Sequence, residues 1–144
     1  MKYAIVVIIT TMIALSACTL ETSHNGKLDG MWQLTQLDTL ATNGQTDMRE
    51  TGIFWCVQNN LLKISALYGG ADPVLFRFQN IGKQLIINDP YFDNRTEGDI
   101  KIEDVAELSF YNIDTLEQTF AIEILTSGKM TLQSESFRFH FRKY

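Results

Sequence analysis

The sequence contains few of the residues from which most catalytic and metal sites are built. Only two histidines, two cysteines and two prolines occur among 144 residues. The two histidines, His24 and His140, do not have the spacing of a metal-binding pair, and no Gly-x-Ser-x-Gly or glycine-rich phosphate loop occurs. We therefore expect no catalytic residues, no metal site and no cofactor. An enzyme built from carboxylates alone is the remaining alternative.

Basic charge is also scarce. Twelve Lys and Arg residues stand against 17 Asp and Glu residues, which gives a formal net charge of −5. Nucleic acids and anionic lipid surfaces are bound by basic faces. The composition therefore argues against nucleic acid as a partner.

No stretch has the length of a membrane-spanning helix. The most apolar segment, residues 3–14, follows Lys2 and is shorter than the roughly 20 residues that a bilayer span needs. It fits the apolar region of a signal peptide. Small residues then lead directly into a cysteine, in Leu15-Ser16-Ala17-Cys18.

This last motif resembles the lipobox of bacterial lipoproteins. The resemblance implies that residues 1–17 are a signal peptide and that Cys18 carries the lipid anchor, with residues 18–27 as a tether. The lipobox resemblance also implies a location in the cell envelope. Because Thr19 rather than aspartate follows Cys18, the resemblance favours the outer membrane and leaves both its periplasmic and its surface face open. The mature chain loses only Lys2 among its charged residues, so its net charge is −6. Cys56 then has no disulfide partner, and we expect it to be a small buried apolar residue.

The rest of the chain, residues 28–144, is divided by turn residues into short segments of alternating apolar and polar residues. This pattern is typical of antiparallel β-sheet. The last segment is the clearest, because Phe137, Phe139 and Phe141 alternate with polar residues and so define a core-facing side. Its polar side carries His140, which we interpret as a surface residue. The predicted strands are 31–38, 53–58, 61–67, 74–79, 84–88, 106–112, 119–125, 129–133 and 136–143.

About eight short antiparallel strands are expected to close into an up-and-down barrel, because closure removes the unpaired strand edges. A barrel of about eight strands holds packed side chains or one small ligand. The sequence leaves open whether its large inward rings fill the interior or line a small apolar pocket. The candidate lining residues are Trp55, Phe76, Phe78, Phe110, Phe120 and Phe139.

Two motifs at the ends of this domain support a family resemblance. It opens with Leu28-Asp29-Gly30-Met31-Trp32-Gln33-Leu34 and ends with Phe139-His140-Phe141-Arg142-Lys143-Tyr144. Together with the lipobox, these motifs resemble the small lipocalin-like lipoproteins of Gram-negative bacteria. The resemblance covers most of residues 28–144 and implies an all-β, antiparallel, lipocalin-like (calycin-type) barrel. It also implies that Trp32 packs at the closed end of the barrel under an arginine of the last strand, Arg142 or Arg138.

Residues 89–117 form a long acidic stretch. Nine acidic residues stand against Arg95 and Lys101, so its net charge is −7. We interpret it as a solvated loop, with a docking face for a basic partner as the alternative. The part around Gly98 lacks the alternate-residue spacing of a calcium loop. Tyr91 and Phe92 lie in the same stretch and are expected either to plug the barrel mouth or to present a contact surface.

Two functional hypotheses remain. The first is a non-catalytic binding module that takes a small apolar or amphipathic ligand in the mouth of the barrel and is held at the membrane by its lipid anchor. The second is an envelope protein–protein interaction or inhibitor module that acts through its exterior or through residues 89–117. The sequence does not decide between them.

Overall fold

The computed structural model describes residues 23–144. The predicted signal peptide and Cys18 lie outside the described residues, so the predictions made for them stay predictions. Within residues 23–144, no helix combines the length and apolar character needed to span a bilayer.

Within residues 23–144, ten β-strands form, most of them where β-branched and aromatic residues are frequent. The strands are β1 Gly30–Thr39, β2 Gly44–Asp47, β3 Ile53–Gln58, β4 Leu61–Ala66, β5 Val74–Ile81, β6 Gln84–Phe92, β7 Ile100–Lys101, β8 Gln118–Leu125, β9 Lys129–Gln133 and β10 Phe137–Lys143. Three 3-10 helices lie between or before them, at Gly26–Leu28, Arg49–Thr51 and Val105–Tyr111.

Eight of these strands close into an antiparallel up-and-down barrel. They follow one another around the wall in the order β1-β3-β4-β5-β6-β8-β9-β10, and β10 pairs back with β1. The closing seam runs from the pair Trp32↔Lys143 to the pair Thr39↔Phe137. The short strands β2 and β7 pair with the parts of β1 and β6 that β3 and β8 do not reach. The predicted fold class is confirmed.

The core lies inside the barrel, because the alternating pattern turns every second side chain inward. On β10, Phe139 and Phe141 are buried, whereas Arg142 between Phe141 and Lys143 is exposed. On β3, Trp55 and Val57 point inward in the same way. Each such buried side chain contributes roughly 1.5–3 kcal/mol of transfer free energy, so truncating Trp55 would destabilise the barrel strongly.

The two ends of the barrel differ. The end that we call the closed end carries the 3-10 helix Gly26–Leu28 and the tight turns after β3, β5 and β8. The opposite end, the mouth, carries the longer loops, including residues 67–73 and 93–117. The mouth loop of residues 93–117 contains β7 and the 3-10 helix Val105–Tyr111. The connection between β1 and β3 contains β2 and the 3-10 helix Arg49–Thr51.

The strand predicted over residues 106–112 is wrong. This segment is the 3-10 helix Val105–Tyr111, which begins at Asp104, whose carboxylate accepts a hydrogen bond from the Ala106 backbone N–H at 2.9 Å. It ends at Asn112, whose φ of 59° is left-handed. Because Leu108 and Tyr111 are three positions apart, one turn of 3-10 helix buries both.

The predicted polar loop also starts later than expected. Strand β6 continues past residue 88 to Phe92, so Tyr91 and Phe92 are strand residues rather than loop residues. Tyr91 pairs with Leu75 of β5 and with Lys101 of β7, and Phe92 pairs with Val74 and Ile100.

Candidate functional site

The barrel interior is occupied by aromatic rings. Trp55, fully buried, lies 5.6 Å from Phe120, 5.8 Å from Phe139 and 5.0 Å from Phe141, measured between ring centroids. These are the tilted and edge-to-face arrangements that aromatic pairs prefer. Trp55 Nε1 finds no hydrogen-bond acceptor among the described residues, so ring packing alone holds it. The sequence leaves open whether the large rings fill the interior or line a small pocket. In the structure, Trp55 and these three phenylalanine rings pack on one another at the centre of the barrel.

The other predicted lining residues have three different placements. Phe76 is buried, and Phe78 is half-buried and packs against the core. The inward placement of Phe110 is wrong: it lies on the 3-10 helix at the mouth with 41% of its surface exposed. Its ring rests on Gly70, where a Cβ atom would lie 2.7 Å from the ring. The role of these residues in lining a ligand pocket stays a prediction.

Trp32 packs at the closed end of the core, the position that the family resemblance implies, but the cation over its ring is neither Arg142 nor Arg138. Trp32 is fully buried and its indole N–H donates a hydrogen bond to the Leu28 carbonyl at 2.9 Å. Lys143 Nζ lies over the indole ring, 4.4 Å from the centroid. Arg142 pairs instead with Gln33 and points outward, where its Nε donates to Gln33 Oε1 at 2.7 Å.

Part of the predicted tether is docked on this closed end. Asn25 Nδ2 donates to the Asn59 carbonyl at 2.6 Å, and the Asn59 backbone N–H donates to Ser23 Oγ at 2.7 Å. Asp29 accepts hydrogen bonds from Ser23 and Asn25. Burial raises the pKa of Asp29, but these hydrogen bonds outweigh it and hold that pKa below its usual value. The chain therefore enters the barrel from the β3–β4 turn.

The mouth is sealed by its long loop. Ile102, Leu108 and Ile113 are buried and belong to the same core cluster as the barrel side chains. Tyr111, 1% exposed, donates from its hydroxyl to the Asp72 carbonyl at 2.9 Å and so ties this plug to the β4–β5 loop. Burial, reinforced by the nearby Asp72 carboxylate, raises the pKa of Tyr111 to about 12. Tyr91 and Phe92 are expected from the sequence either to plug the mouth or to present a contact surface, and the plug itself consists of residues 102–113.

An irregularity in β6 opens a groove on the outer wall. Between Leu75 and Arg77 the register of β5 against β6 shifts by one residue, and Asp89 at the shift has a left-handed φ of 49°. Pro90 follows and lacks a backbone N–H. Together these produce a β-bulge, which bends the strand and separates its neighbours.

Three adjacent hollows lie along this outer wall, and together they make up what we call the wall groove. Their volumes are about 280, 370 and 530 Å³. The first and second share Leu61 and Leu75, and the second and third share Lys63 and Arg95. The wall groove therefore extends from the β3–β4 turn at the closed end towards Pro73 near the mouth. The structure places Tyr91 in its lining.

One ion pair fixes the loop that borders the wall groove. Lys63 Nζ lies 2.5 Å from Asp93 Oδ2, and the Asp93 side chain is only 9% exposed. Arg95 lies 3.8 Å from the same carboxylate but is 87% exposed, so its interaction is weak. Cys56 lines this groove opposite Lys63 and is half-buried, not fully buried as expected.

His140 lies on the outer face of β10, as the sequence predicts, but it has a carboxylate partner. Its Nε2 lies 2.7 Å from Asp38 Oδ2 on the adjacent strand β1. Burial raises the pKa of Asp38, but hydrogen bonds from His140 and Gln36 outweigh burial and lower it. Within residues 23–144, no hydroxyl or thiol is hydrogen-bonded to the His140 imidazole, and the Thr35 hydroxyl donates only to the His140 backbone carbonyl. The His140–Asp38 pair therefore has no nucleophile beside it there.

The part of the chain that the structure describes contains no cluster of metal-ligating side chains. No three His, Cys, Asp or Glu side chains come together there in a way that could hold an ion. His24 is exposed at the start of the described chain.

Two features missed by sequence reasoning carry a signal in retrospect. Lys143 continues the inward parity of Phe139 and Phe141, so alternation along β10 alone could have placed it with Trp32. Tyr111 follows Leu108 by three residues, after the helix-capping residue Asp104. The partners of Lys63 and His140 lie 30 and 102 residues away and have no local signal.

A closed eight-stranded up-and-down barrel with a capped first-strand tryptophan defines a lipocalin-like protein. The model of the lipocalin-like domain family matches residues 13–144, and the chain belongs to that family. A lipocalin-like protein from Bacteroides uniformis has a similar structure, with a TM-score of 0.63 and 20% identity over 83% of this chain and 100% of that one. An uncharacterized protein from Bacteroides eggerthii gives a TM-score of 0.58 and 21% identity over 81% of this chain and 98% of that one. No curated protein matches the sequence.

Proposed function

We propose that this protein is a lipid-anchored, non-catalytic binding module of the cell envelope that takes a small apolar or amphipathic ligand. The lipocalin-like fold is generally a binding fold rather than a catalytic one. The observation that carries the proposal is the wall groove, whose three hollows share lining residues, while aromatic rings pack at the centre of the barrel. The mouth, where the sequence predicts the ligand, is covered by the buried residues of its long loop. The ligand therefore binds on the outer wall.

The lining of the wall groove sets the kind of ligand. Leu61 and Leu75 supply an apolar floor in its middle. Arg77 stands at one end, and the Lys63–Asp93 pair stands towards the other. Sites for small molecules combine such an apolar surface with a few polar groups that orient the ligand. A molecule with an apolar body and a polar or charged head fits this arrangement.

The anchor would hold the barrel close to the bilayer. Ser23 is five positions after Cys18, and an extended chain of five residue steps spans at most about 18 Å. Ser23 is docked on the closed end, so that end would face the membrane. The wall groove starts at the same end, beside Asn59 and Asn60, where a ligand that leaves the bilayer would first meet the protein.

Native mass spectrometry of the full chain, purified from its own host in mild detergent, tests the ligand. We expect a bound small molecule that is lost in the Leu75→Asp variant, because the new carboxylate would lie on the apolar floor. The matched control is Ile124→Asp, an outward-facing position on β8 with 39% exposure, which should keep the molecule. Equal occupancy in both variants, or no bound molecule in the unmodified protein, would contradict the wall-groove site.

Detergent-phase partitioning tests the anchor separately. The full chain should enter the detergent phase of Triton X-114, and the Cys18→Ser variant should remain in the aqueous phase. Unchanged partitioning of the variant would refute lipidation at Cys18 without bearing on the wall groove.

A further inference from the structure

Among the described residues, five large apolar side chains are exposed in the mouth loops: Leu67, Tyr68, Ile100, Val105 and Phe110. Three of them lie on the β4–β5 loop or rest against it. Leu67 is 57% exposed, Tyr68 is 76% exposed and Phe110 is 41% exposed. The first two lie on the β4–β5 loop, and Phe110 lies on the plug helix that packs against the same loop. We call these three residues the mouth patch. Exposed apolar side chains that gather in one place are typical of interaction surfaces.

Two glycines fix the rings of the mouth patch in place. A Cβ atom at Gly70 would lie 2.7 Å from the Phe110 ring, and one at Gly52 would lie 2.7 Å from the Tyr68 ring. Both glycines have positive φ, +105° and +65°. The Leu67 backbone N–H donates to the Gly52 carbonyl at 2.9 Å. The patch is therefore held in shape before any partner arrives, which lowers the entropy lost on binding.

The charge around the mouth patch is strongly negative. Within residues 97–117 one lysine, Lys101, stands against seven carboxylates: Glu97, Asp99, Glu103, Asp104, Glu107, Asp114 and Glu117. In the part of the chain that the structure describes, none of the seven forms a salt bridge. Such an uncompensated field repels acidic surfaces and attracts basic ones.

The mouth patch also lies at the end of the barrel opposite the docked N-terminal segment. Ser23 and Asn25 contact the β3–β4 turn at the closed end, whereas Leu67, Tyr68 and Phe110 lie at the mouth. If Cys18 is anchored as proposed above, the patch faces away from its own membrane. This orientation rests on the proposed function, but the chemistry of the patch does not.

We infer that the mouth patch is a docking surface for a basic protein, which places an apolar side chain against Tyr68 and Phe110 while its lysines and arginines face the surrounding carboxylates. The apolar centre supplies the affinity, as in other interfaces with an aromatic anchor. The carboxylates steer the encounter and select for a basic partner.

Site-specific photo-crosslinking in the native host tests this docking surface. p-Benzoylphenylalanine in place of Tyr68, in the full-length protein, should form a covalent adduct with one protein that mass spectrometry identifies. The same reagent in place of Ile81, which is 58% exposed in the β5–β6 turn at the closed end, should not. The identified protein is then purified and titrated against the full chain. Phe110→Ser should weaken the affinity about tenfold or more, and Glu103→Gln with Glu107→Gln should weaken it severalfold and reduce its dependence on salt.

Each alternative outcome overturns the inference. Adducts with lipid only, with a second copy of this chain only, or with no protein at all would exclude a basic protein partner. So would an identified protein whose affinity is unchanged by both Phe110→Ser and Tyr68→Ser, provided that both variants keep the thermal midpoint of the unmodified chain. The Leu75→Asp and Cys18→Ser variants should bind the purified partner normally, so that failure of the wall groove or of the anchor is read separately.

Discussion

The hydroxyl of Tyr111 gives the sharpest test of how the mouth is sealed. Its hydrogen bond to the Asp72 carbonyl is 2.9 Å long, and the residue is 1% exposed. Tyr111→Phe keeps the ring and removes only this donor. A buried hydrogen bond of this kind contributes about 0.5–1.5 kcal/mol net. For a domain of this size we expect the thermal midpoint to fall by roughly 3–5 °C.

The pH dependence of that difference is a second readout of the same contact. The pKa of Tyr111 is raised to about 12, from about 10 for a free tyrosine side chain. The folded state therefore favours the neutral phenol, and this stabilisation is present below pH 10 and is lost as the pH rises towards 12. The unmodified protein should lose its advantage over Tyr111→Phe across this interval, since the phenylalanine variant has no proton to release.

Urea unfolding followed by tryptophan fluorescence at pH 8, 10.5 and 11.5 measures both effects, because Trp32 and Trp55 are fully buried. Tyr68→Phe is the matched control: Tyr68 is 76% exposed, and we expect its change to stay within about 0.5 kcal/mol. Equal stability of Tyr111→Phe and the unmodified protein at pH 8 would refute the reasoning. So would a difference between them that stays constant up to pH 11.5.

Three further predictions concern the seam, the closed end and the mouth. Lys143→Met should lower the free energy of unfolding by about 0.5–1 kcal/mol through loss of the cation over Trp32, and a larger effect of Arg142→Met in the same urea titration would show that the wrong cation was assigned. Asp38→Asn should cost about 1–2 kcal/mol at neutral pH. Because the pKa of Asp38 is lowered in the folded state, this cost should begin to shrink as the pH falls below the unfolded value and should disappear only below the lowered folded-state pKa. A cost that does not shrink between pH 7 and pH 3 would contradict the His140–Asp38 pair. Gly70→Ala should destabilise the protein by about 1–3 kcal/mol in scanning calorimetry, since the φ of Gly70 is +105° and a Cβ there would meet the Phe110 ring. Gly128→Ala is the control: no atom lies within 4 Å of a Cβ at Gly128, and its stability should be nearly unchanged.

The barrel could be predicted from the sequence because its strands alternate cleanly and are bounded by turn residues. The predicted strands at 53–58 and 129–133 coincide with β3 and β9. The predicted strands 53–58 and 61–67 are separated by Asn59-Asn60. Asparagine tolerates positive φ, and Asn59 has a φ of 54° in the turn between β3 and β4. These are local properties of the chain, and local chemistry is what a single sequence records.

The plug could not be separated from a strand by alternation alone. Leu108 and Phe110 are two positions apart, as in a strand, while Leu108 and Tyr111 are three apart, as in a 3-10 helix. Over so few residues both periods fit. The structure selects the helix because Leu108 and Tyr111 both reach the barrel core and Phe110 does not.

The wall groove could not be predicted for a different reason. It depends on a register shift between β5 and β6, which is a relation between two strands rather than a property of either. The Asp89-Pro90 pair offers a local hint, because a left-handed residue followed by proline disturbs regular pairing. The course of the wall groove also depends on the ion pair between Lys63 and Asp93, which are 30 residues apart in the sequence.

The pairing of β1 with β10 has a consequence for how the protein must be made. The seam joins residues about a hundred positions apart, as in the hydrogen bond from Thr35 to the His140 carbonyl. A ribosome therefore has to finish the chain before the first strand can find its last neighbour, and contacts of such long range form slowly. A polypeptide that ends before Phe137 would leave β1 and β9 each with an unpaired edge. A chain without β10 therefore cannot close the barrel, and its unpaired strand edges should make it prone to aggregation and rapid degradation.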